Sequence, residues 1–383
     1  MNTLSRRRFL ALGASALLLP GFARGAGSAG AAQGCFVWIN LRGGMDGMHA
    51  VLPKGDPGLL RLREALAAPL ADEMLPLDTD FALHPELKTL HGWYQERCFA
   101  PVVATASPYE ERSHFAAQDV LESGLQPADT GSGWLARALA TLHGADEAAV
   151  AIARSLPLVL RGGPAARSWY PSTLPAADQD LYQRLLALYA EDPLQARLAE
   201  GLETRRSLDM DSSASASGRP RFPALAQACG EILAKESGMA GAVLEMGGWD
   251  THNQQLSRLR AQFRELDAGL AALRKALGTR WQHSVVLACT EFGRTAAVNG
   301  TGGTDHGSAS TAFLAGGSLK GGRVLGEWPG LGERELREKR ELRRSSDLRS
   351  WLAGALHGAW GLDQGALSRV FPGVRSVEGL VSG

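Results

Sequence analysis

Two short motifs in this chain place metal-ligating residue types close together. Asp250-Thr251-His252 follows the apolar stretch 241–246, and Asp305-His306 closes a glycine-rich run that opens with Thr290-Glu291-Phe292-Gly293-Arg294. In an extended segment residues two apart point to the same side, so Asp250 and His252 can ligate one ion. Asp305 and His306 are neighbours and need a turn to face one site, which the five glycines from Gly293 to Gly307 permit. Carboxylates combined with neutral imidazoles suit Zn²⁺ or Mn²⁺, whereas an all-oxygen set would favour Mg²⁺ or Ca²⁺. A divalent metal there would polarise a phosphoryl or sulfuryl oxygen.

Two further loops carry reactive types. Asp46 lies in Arg42-Gly43-Gly44-Met45-Asp46-Gly47, after the apolar stretch 35–41, and Ser113-His114 opens a helical pattern beyond the apolar stretch 100–105. Ser113 is the candidate nucleophile, with Thr105 as the lesser one, although serine is also a favoured helix cap. Glu291 with Arg294 reads either as part of a site or as a plain buried ion pair, and Asp46 beside Gly47 equally as a turn. His84, His91, His143 and His357 fall in helical patterns or at helix ends and read as surface or packing residues.

The elements that must position these loops alternate along the chain. Strands are expected at 35–41, 100–105, 149–153, 157–160, 241–246, 284–289 and 313–315. Helices are expected at 57–67, 85–97, 132–142, 179–206 with a break near Pro193, 255–277 and 346–360, the last capped by Ser345 or Ser346. The charged run 334–344 alternates arginine with glutamate and reads as a solvated helix face. This alternation predicts an α/β fold with a central mostly parallel sheet and helices on both faces. In such a sheet the carboxyl ends of the strands share an edge, so the four polar loops are expected to converge. The serine-rich stretch 209–220 reads as a surface loop within a single domain, 32–383.

The totals narrow the function classes. With 40 basic and 40 acidic residues among 383, the chain lacks the basic field that nucleic acid binding requires. Ser5-Arg6-Arg7-Arg8-Phe9-Leu10 is a twin-arginine signature, followed by an apolar run well short of the ~20 residues of a membrane span. Residues 1–31 therefore read as a signal peptide for export, in folded form, to the periplasm or beyond, with no stable membrane span. Cys35, Cys98, Cys229 and Cys289 contain no Cys-x-x-Cys pair; Cys35 and Cys289 sit in apolar runs, and disulfide pairing is left open.

Taken together, 41–47, Arg112-Ser113-His114-Phe115-x-x-Gln118-Asp119, Gly248-Trp249-Asp250-Thr251-His252 and 290–307 resemble the domain-of-unknown-function 1501 family. That family is similar in fold to the alkaline phosphatase and sulfatase superfamily. The resemblance implies an alkaline-phosphatase-like sandwich with a divalent-metal site at the strand ends. It makes Asp46, Asp250, His252 and His306 metal ligands, sets Glu291 at a ligand position and puts Ser113 in the nucleophile region. With Asp305 added from the loop reading these are the expected metal set; Ser113, His114 and Arg294 are the expected catalytic set, and Arg42, Asn40 and Arg112 the expected substrate contacts. Phe292 stands where the superfamily carries a second imidazole, so one zinc or manganese ion is expected. The expected partner is a small anionic ester, a phosphate or a sulfate, in a hydrolase. The alternative is a periplasmic protein partner bound by a non-catalytic relative of the fold.

Overall fold

A computed structural model describes residues 34–142, 147–171, 179–190, 220–236 and 238–381, with isolated positions between 192 and 199. The expected signal peptide, His143, nearly all of the expected surface loop 209–220 and most of the helical pattern expected beyond 190 lie outside these residues.

Eleven strands form two sheets among the described residues: β1 (Phe36–Leu41), β2 (Val51–Leu52), β3 (Leu75–Pro76), β4 (Ala82–Leu83), β5 (Phe99–Ala106), β6 (Glu147–Ile152), β7 (Ala165–Trp169), β8 (Gly241–Met246), β9 (Val285–Cys289), β10 (Ser310–Ala315) and β11 (Ser346–Asp347). β2, β4 and β3 make a small antiparallel sheet. The other eight run in the order β11-β5-β10-β9-β1-β8-β6-β7. All neighbours in this large sheet are parallel except β10, which is antiparallel to both β5 and β9.

The core follows from the twofold period of a strand covered on both faces. Val37 and Ile39 of β1 pack with Ala242, Leu244, Val286 and Ala288 beneath the helices Phe222–Lys235 and Gln255–Leu277. Phe36 and Trp38 face the other way, with Val243, Val285 and Leu287, against the helices Trp134–Leu139, Leu348–Trp360 and Gln364–Val370. The helix Gln255–Leu277 buries Leu259, Phe263, Leu266, Leu270, Leu273 and Leu277, a stripe at helical spacing. Each such side chain contributes about 1.5–3 kcal/mol when fully buried. The α/β class with helices on both faces is therefore as the pattern predicts.

Several elements differ from expectation. Residues 157–160 are not a strand: Leu158–Leu160 is a short 3₁₀ turn whose Val159 N–H is taken by Glu122, and the strand of that region is β7. No helix forms across 334–344. The alternating charges instead bring Arg112 and Arg340 onto the buried Glu341 carboxylate. The cap of Leu348–Trp360 is Asp347, whose side chain accepts from Arg349 N, and not Ser345 or Ser346. All four cysteines are buried and unpaired. No helix among the described residues is long and apolar enough to cross a membrane.

Because β1, β5, β8 and β9 are parallel, the loops that follow them open on one edge. β10 enters the sheet from that same edge, so the residues just before Ser310 arrive there too. This reversed strand puts His306 among loops that otherwise lie after strand ends.

Candidate metal centre

His114, His252 and His306 converge on that edge through their Nε2 atoms. His306 Nε2 lies 3.1 Å from His114 Nε2 and 3.1 Å from His252 Nε2. Asp250 joins them: its Oδ1 is 3.0 Å from His252 Nε2 and 3.3 Å from His306 Nε2, and its Oδ2 is 3.7 Å from His114 Nε2. Ligand atoms of His114, Asp250 and His306 all fall within 4.8 Å of one another, and His252 meets the same His306 atom from its own loop.

Each imidazole is oriented from behind. His114 Nδ1 faces Glu291 Oε1 at 2.7 Å, His252 Nδ1 faces Asp305 Oδ1 at 3.3 Å, and His306 Nδ1 faces the Arg112 carbonyl at 3.1 Å. A carbonyl and ionised carboxylates only accept, so each Nδ1 is placed to donate its hydrogen, and in the neutral imidazole this turns the Nε2 lone pair toward the cluster. Nε2 atoms gathered 3.1 Å apart and against the Asp250 carboxylate need a proton or a cation among them, and a divalent ion would take all four groups at once. A tetrahedral Zn²⁺ with nitrogen ligands at ~2.0–2.1 Å separates those nitrogens by ~3.3 Å, close to the spacings here. The donor set and its oriented outer partners fit a single divalent ion.

The protonation states agree. Burial holds His306 below the ordinary imidazole range, so it is neutral at pH 7. Burial pushes the Asp250 carboxyl up, but the hydrogen bond and charge of Arg294 are the main causes that oppose it, and Asp250 lies below its usual value. Glu291 is likewise held low: burial opposes ionisation, while His114, Thr290 and the backbone N–H groups of Glu291 and Gly43 favour it. For Asp305 the Asn299 amide is the main cause lowering its pKa.

The remaining candidates sort differently from the sequence reading. His114, read there as catalytic, faces the ligand cluster. Glu291 and Asp305, read as ligands, orient His114 and His252 instead. Asp46 is fully buried and its carboxylate is taken by Arg63, Gln255 and the His49 N–H, so it serves as one half of a buried ion pair. Arg294 is fully buried too. Its guanidinium donates to the carbonyls of Gly43, Gly44, Trp249 and Thr304 and to Asp250, which makes it a buried clamp on three loops and not an exposed anion contact. Asn40 lies buried beneath Gln118, to which it donates at 2.7 Å, and does not face solvent. Arg42 pairs with Glu245 at 3.0 Å, and Arg112 with Glu338 and Glu341, both arginines remaining partly exposed. Ser113 is exposed next to His114; it takes the cap position of the helix His114–Ser123 but makes no side-chain cap bond.

Phe292 packs its ring against both His114 and His306, at centroid distances of 4.7 and 4.9 Å. A hydrocarbon ring thus fills the space beside the cluster. Arg63 as the partner of Asp46 was not legible, because the two are joined by a kink in the helix Gly58–Ala67 and not by a regular spacing. Asn299, which tethers Asp305 and the His252 carbonyl, carried a weak signal in its Asn-Gly turn.

Residues 35–348 match the family described as "Protein of unknown function (DUF1501)". The chain belongs to that family. No curated protein matches this member. Among solved structures, the C-terminal periplasmic domain of EcEptC from Escherichia coli, in complex with Zn, aligns at 8% identity and TM-score 0.39, covering 76% of this chain and 74% of that one. Ps i-CgsB aligns at 9% identity and TM-score 0.43, covering 89% and 75%. The same protein in complex with k-i-k-neocarrahexaose gives 9% identity and TM-score 0.37, covering 87% and 74%. These likenesses are slight, and the site of this DUF1501 member stands on its own residues.

Proposed function

We propose that this DUF1501 protein is an exported single-metal hydrolase of a phosphate or sulfate ester, with His114, Asp250, His252 and His306 holding the ion. The supporting observation is the set of three imidazoles whose Nδ1 atoms all face acceptors while their Nε2 atoms gather around Asp250. Zinc or manganese so bound would supply positive charge against a developing oxyanion and favour ionisation of a nearby hydroxyl. Ser113, exposed at the start of the helix His114–Ser123 and next in the chain to His114, would be the attacking hydroxyl. Tyr109 fixes the Ser113 backbone by accepting its N–H, so the loop carrying the nucleophile is held. Glu291 and Asp305 keep two imidazoles in the binding tautomer, and Arg294 keeps Asp250 ionised and aimed.

Elemental analysis of protein purified without chelator or histidine tag is expected to give about one zinc or manganese per chain, lost in His306→Ala. Ester turnover is expected to disappear in Ser113→Ala while the metal stays bound. Protein that takes up no ion when supplied with both would refute the reading.

Phe292 favours a second reading. By the resemblance it stands where another imidazole would serve a second metal, and its ring packs on His114 and His306, which suits a metal-binding assembly protein without turnover. A metal-loaded protein inert across aryl, alkyl and glycosyl phosphates and sulfates would support that reading.

A further inference from the structure

Beside the cluster lies a cavity of about 770 Å³ over the ends of β1, β6, β7 and β8. Three of its lining residues adjoin the metal site in the chain: Arg42 precedes Gly43, whose N–H holds Glu291; Phe115 follows His114; Gly247 shortly precedes Asp250. One wall is a stripe of the helix His114–Ser123, formed by Phe115, Gln118, Asp119 and Glu122 at helical spacing. The helix that starts with a metal ligand thus also lines the cavity.

The chemistry of this lining is specific. The lining holds three acidic side chains, Asp119, Glu122 and Glu245, and three basic ones, Arg42, Arg154 and Arg161, with Arg42 already paired to Glu245 and Arg154 lying over the Tyr170 ring at 5.2 Å. A polyanion would meet Asp119, Glu122 and Glu245, and an alkyl tail would strand these charges without water. Gln118 spends its Oε1 on Asn40, and its buried Nε2 has no partner among the described residues. Phe115 keeps 85% of its surface exposed. Burial pushes the Glu122 carboxyl up to about 7, so near neutral pH it can both donate and accept. A neutral ring bearing several hydroxyls matches each of these features: every hydroxyl donates and accepts, and the apolar face of the ring covers an aromatic side chain.

We infer that this cavity binds a neutral saccharide, the part of the ester that leaves or remains after cleavage, so that the substrate is a glycosyl phosphate or sulfate. This rests on the hydrolase reading for the reaction but not for the binding.

The test separates the two. Binding of D-glucose, D-galactose and N-acetyl-D-glucosamine to metal-loaded full-length mature protein is followed by saturation-transfer NMR, and turnover is followed on their O-phosphates and O-sulfates beside p-nitrophenyl esters and dodecyl sulfate. At least one free sugar is expected to bind saturably, roughly fivefold more weakly in Phe115→Ala, with its ester preferred over the aryl and alkyl esters. Glu122→Gln guards against misfolding: it keeps the shape and a group that both donates and accepts, and is expected to retain binding. Saturable sugar binding without turnover would leave the cavity assignment standing and sink the hydrolase reading. Turnover of aryl or alkyl esters with no sugar bound would overturn the cavity assignment and leave the hydrolase reading intact, and no binding with no turnover would overturn both.

Discussion

Glu291 Oε1 lies 2.7 Å from His114 Nδ1 and also accepts the Gly43 N–H, so one buried carboxylate ties the loop after β9 to the loop after β1 and aims an imidazole from a third. Glu291→Gln keeps the shape and loses the charge that fixes the tautomer. Its metal affinity is expected to fall about 10–100-fold with little change in the fold. Competition against a chromogenic chelator measures the first, and near-ultraviolet circular dichroism the second.

Asp46 and Arg63 form a buried pair remote in role from the imidazoles. Asp46→Asn and Arg63→Met should each cost about 3–5 kcal/mol in urea unfolding, because each leaves a buried charge without its partner. Metal content per folded chain should be unchanged in both. A folded Asp46→Asn protein that had lost its ion would return Asp46 to the ligand set.

His49 and His84 are buried, with ring centroids 5.2 Å apart, and both pack against Phe263. Burial holds His49 at about 4 and pushes His84 lower still. Both folded-state values lie below the unfolded value of 6.5, so the unfolded chain takes up protons first as the pH falls. Stability is therefore full above pH 6.5 and is lost on acidification, by up to ~1.4 kcal/mol per pH unit for each histidine. Chemical unfolding midpoints at intervals from pH 7.5 to 4 give this slope, which His49→Gln should reduce.

Arg294→Met removes the donor shared by four carbonyls and Asp250. We expect a loss of at least about 3 kcal/mol together with weaker metal binding, since Asp250 is then neither aimed nor held ionised. Arg294→Lys should recover little of either, as an ammonium cannot span those acceptors. Thermal melts with and without added zinc resolve the two effects.

The order of strand, polar loop and helix was enough to read the sheet and to bring the polar loops to one edge, because buried parallel strands and their loops leave a strong apolar-to-polar signature. Asp250 and His252 stood out for the same reason, whereas His306 stood out by its Asp-His pairing in a glycine-rich run ahead of β10. The division of labour among the carboxylates was not: Glu291, Asp305 and Asp46 differ only in which partner reaches them. Arg63 reaches Asp46 from a kinked helix, and His114 Nδ1 reaches Glu291 from another strand end. The charged run 334–344 was misread because its pattern suits a helix, whereas burial of Glu341 calls in arginines from several directions. β7 was missed because, at the sheet edge, it carries Arg167 and Ser168 and no continuous apolar run.

The reversed direction of β10 reaches beyond the placing of His306. Since β9 and β10 are antiparallel neighbours, the chain leaves and re-enters the sheet at one edge, and everything between Cys289 and Ser310 is an excursion pinned at both ends. That excursion carries Glu291, Phe292, Arg294, Asp305 and His306, yet no strand has to be rethreaded to rewrite it. Replacing the segment would change one metal-facing imidazole, His306, and the carboxylates that orient two others, while His114, Asp250 and His252 stay on their own loops and the two cores on either face of the sheet keep their residues.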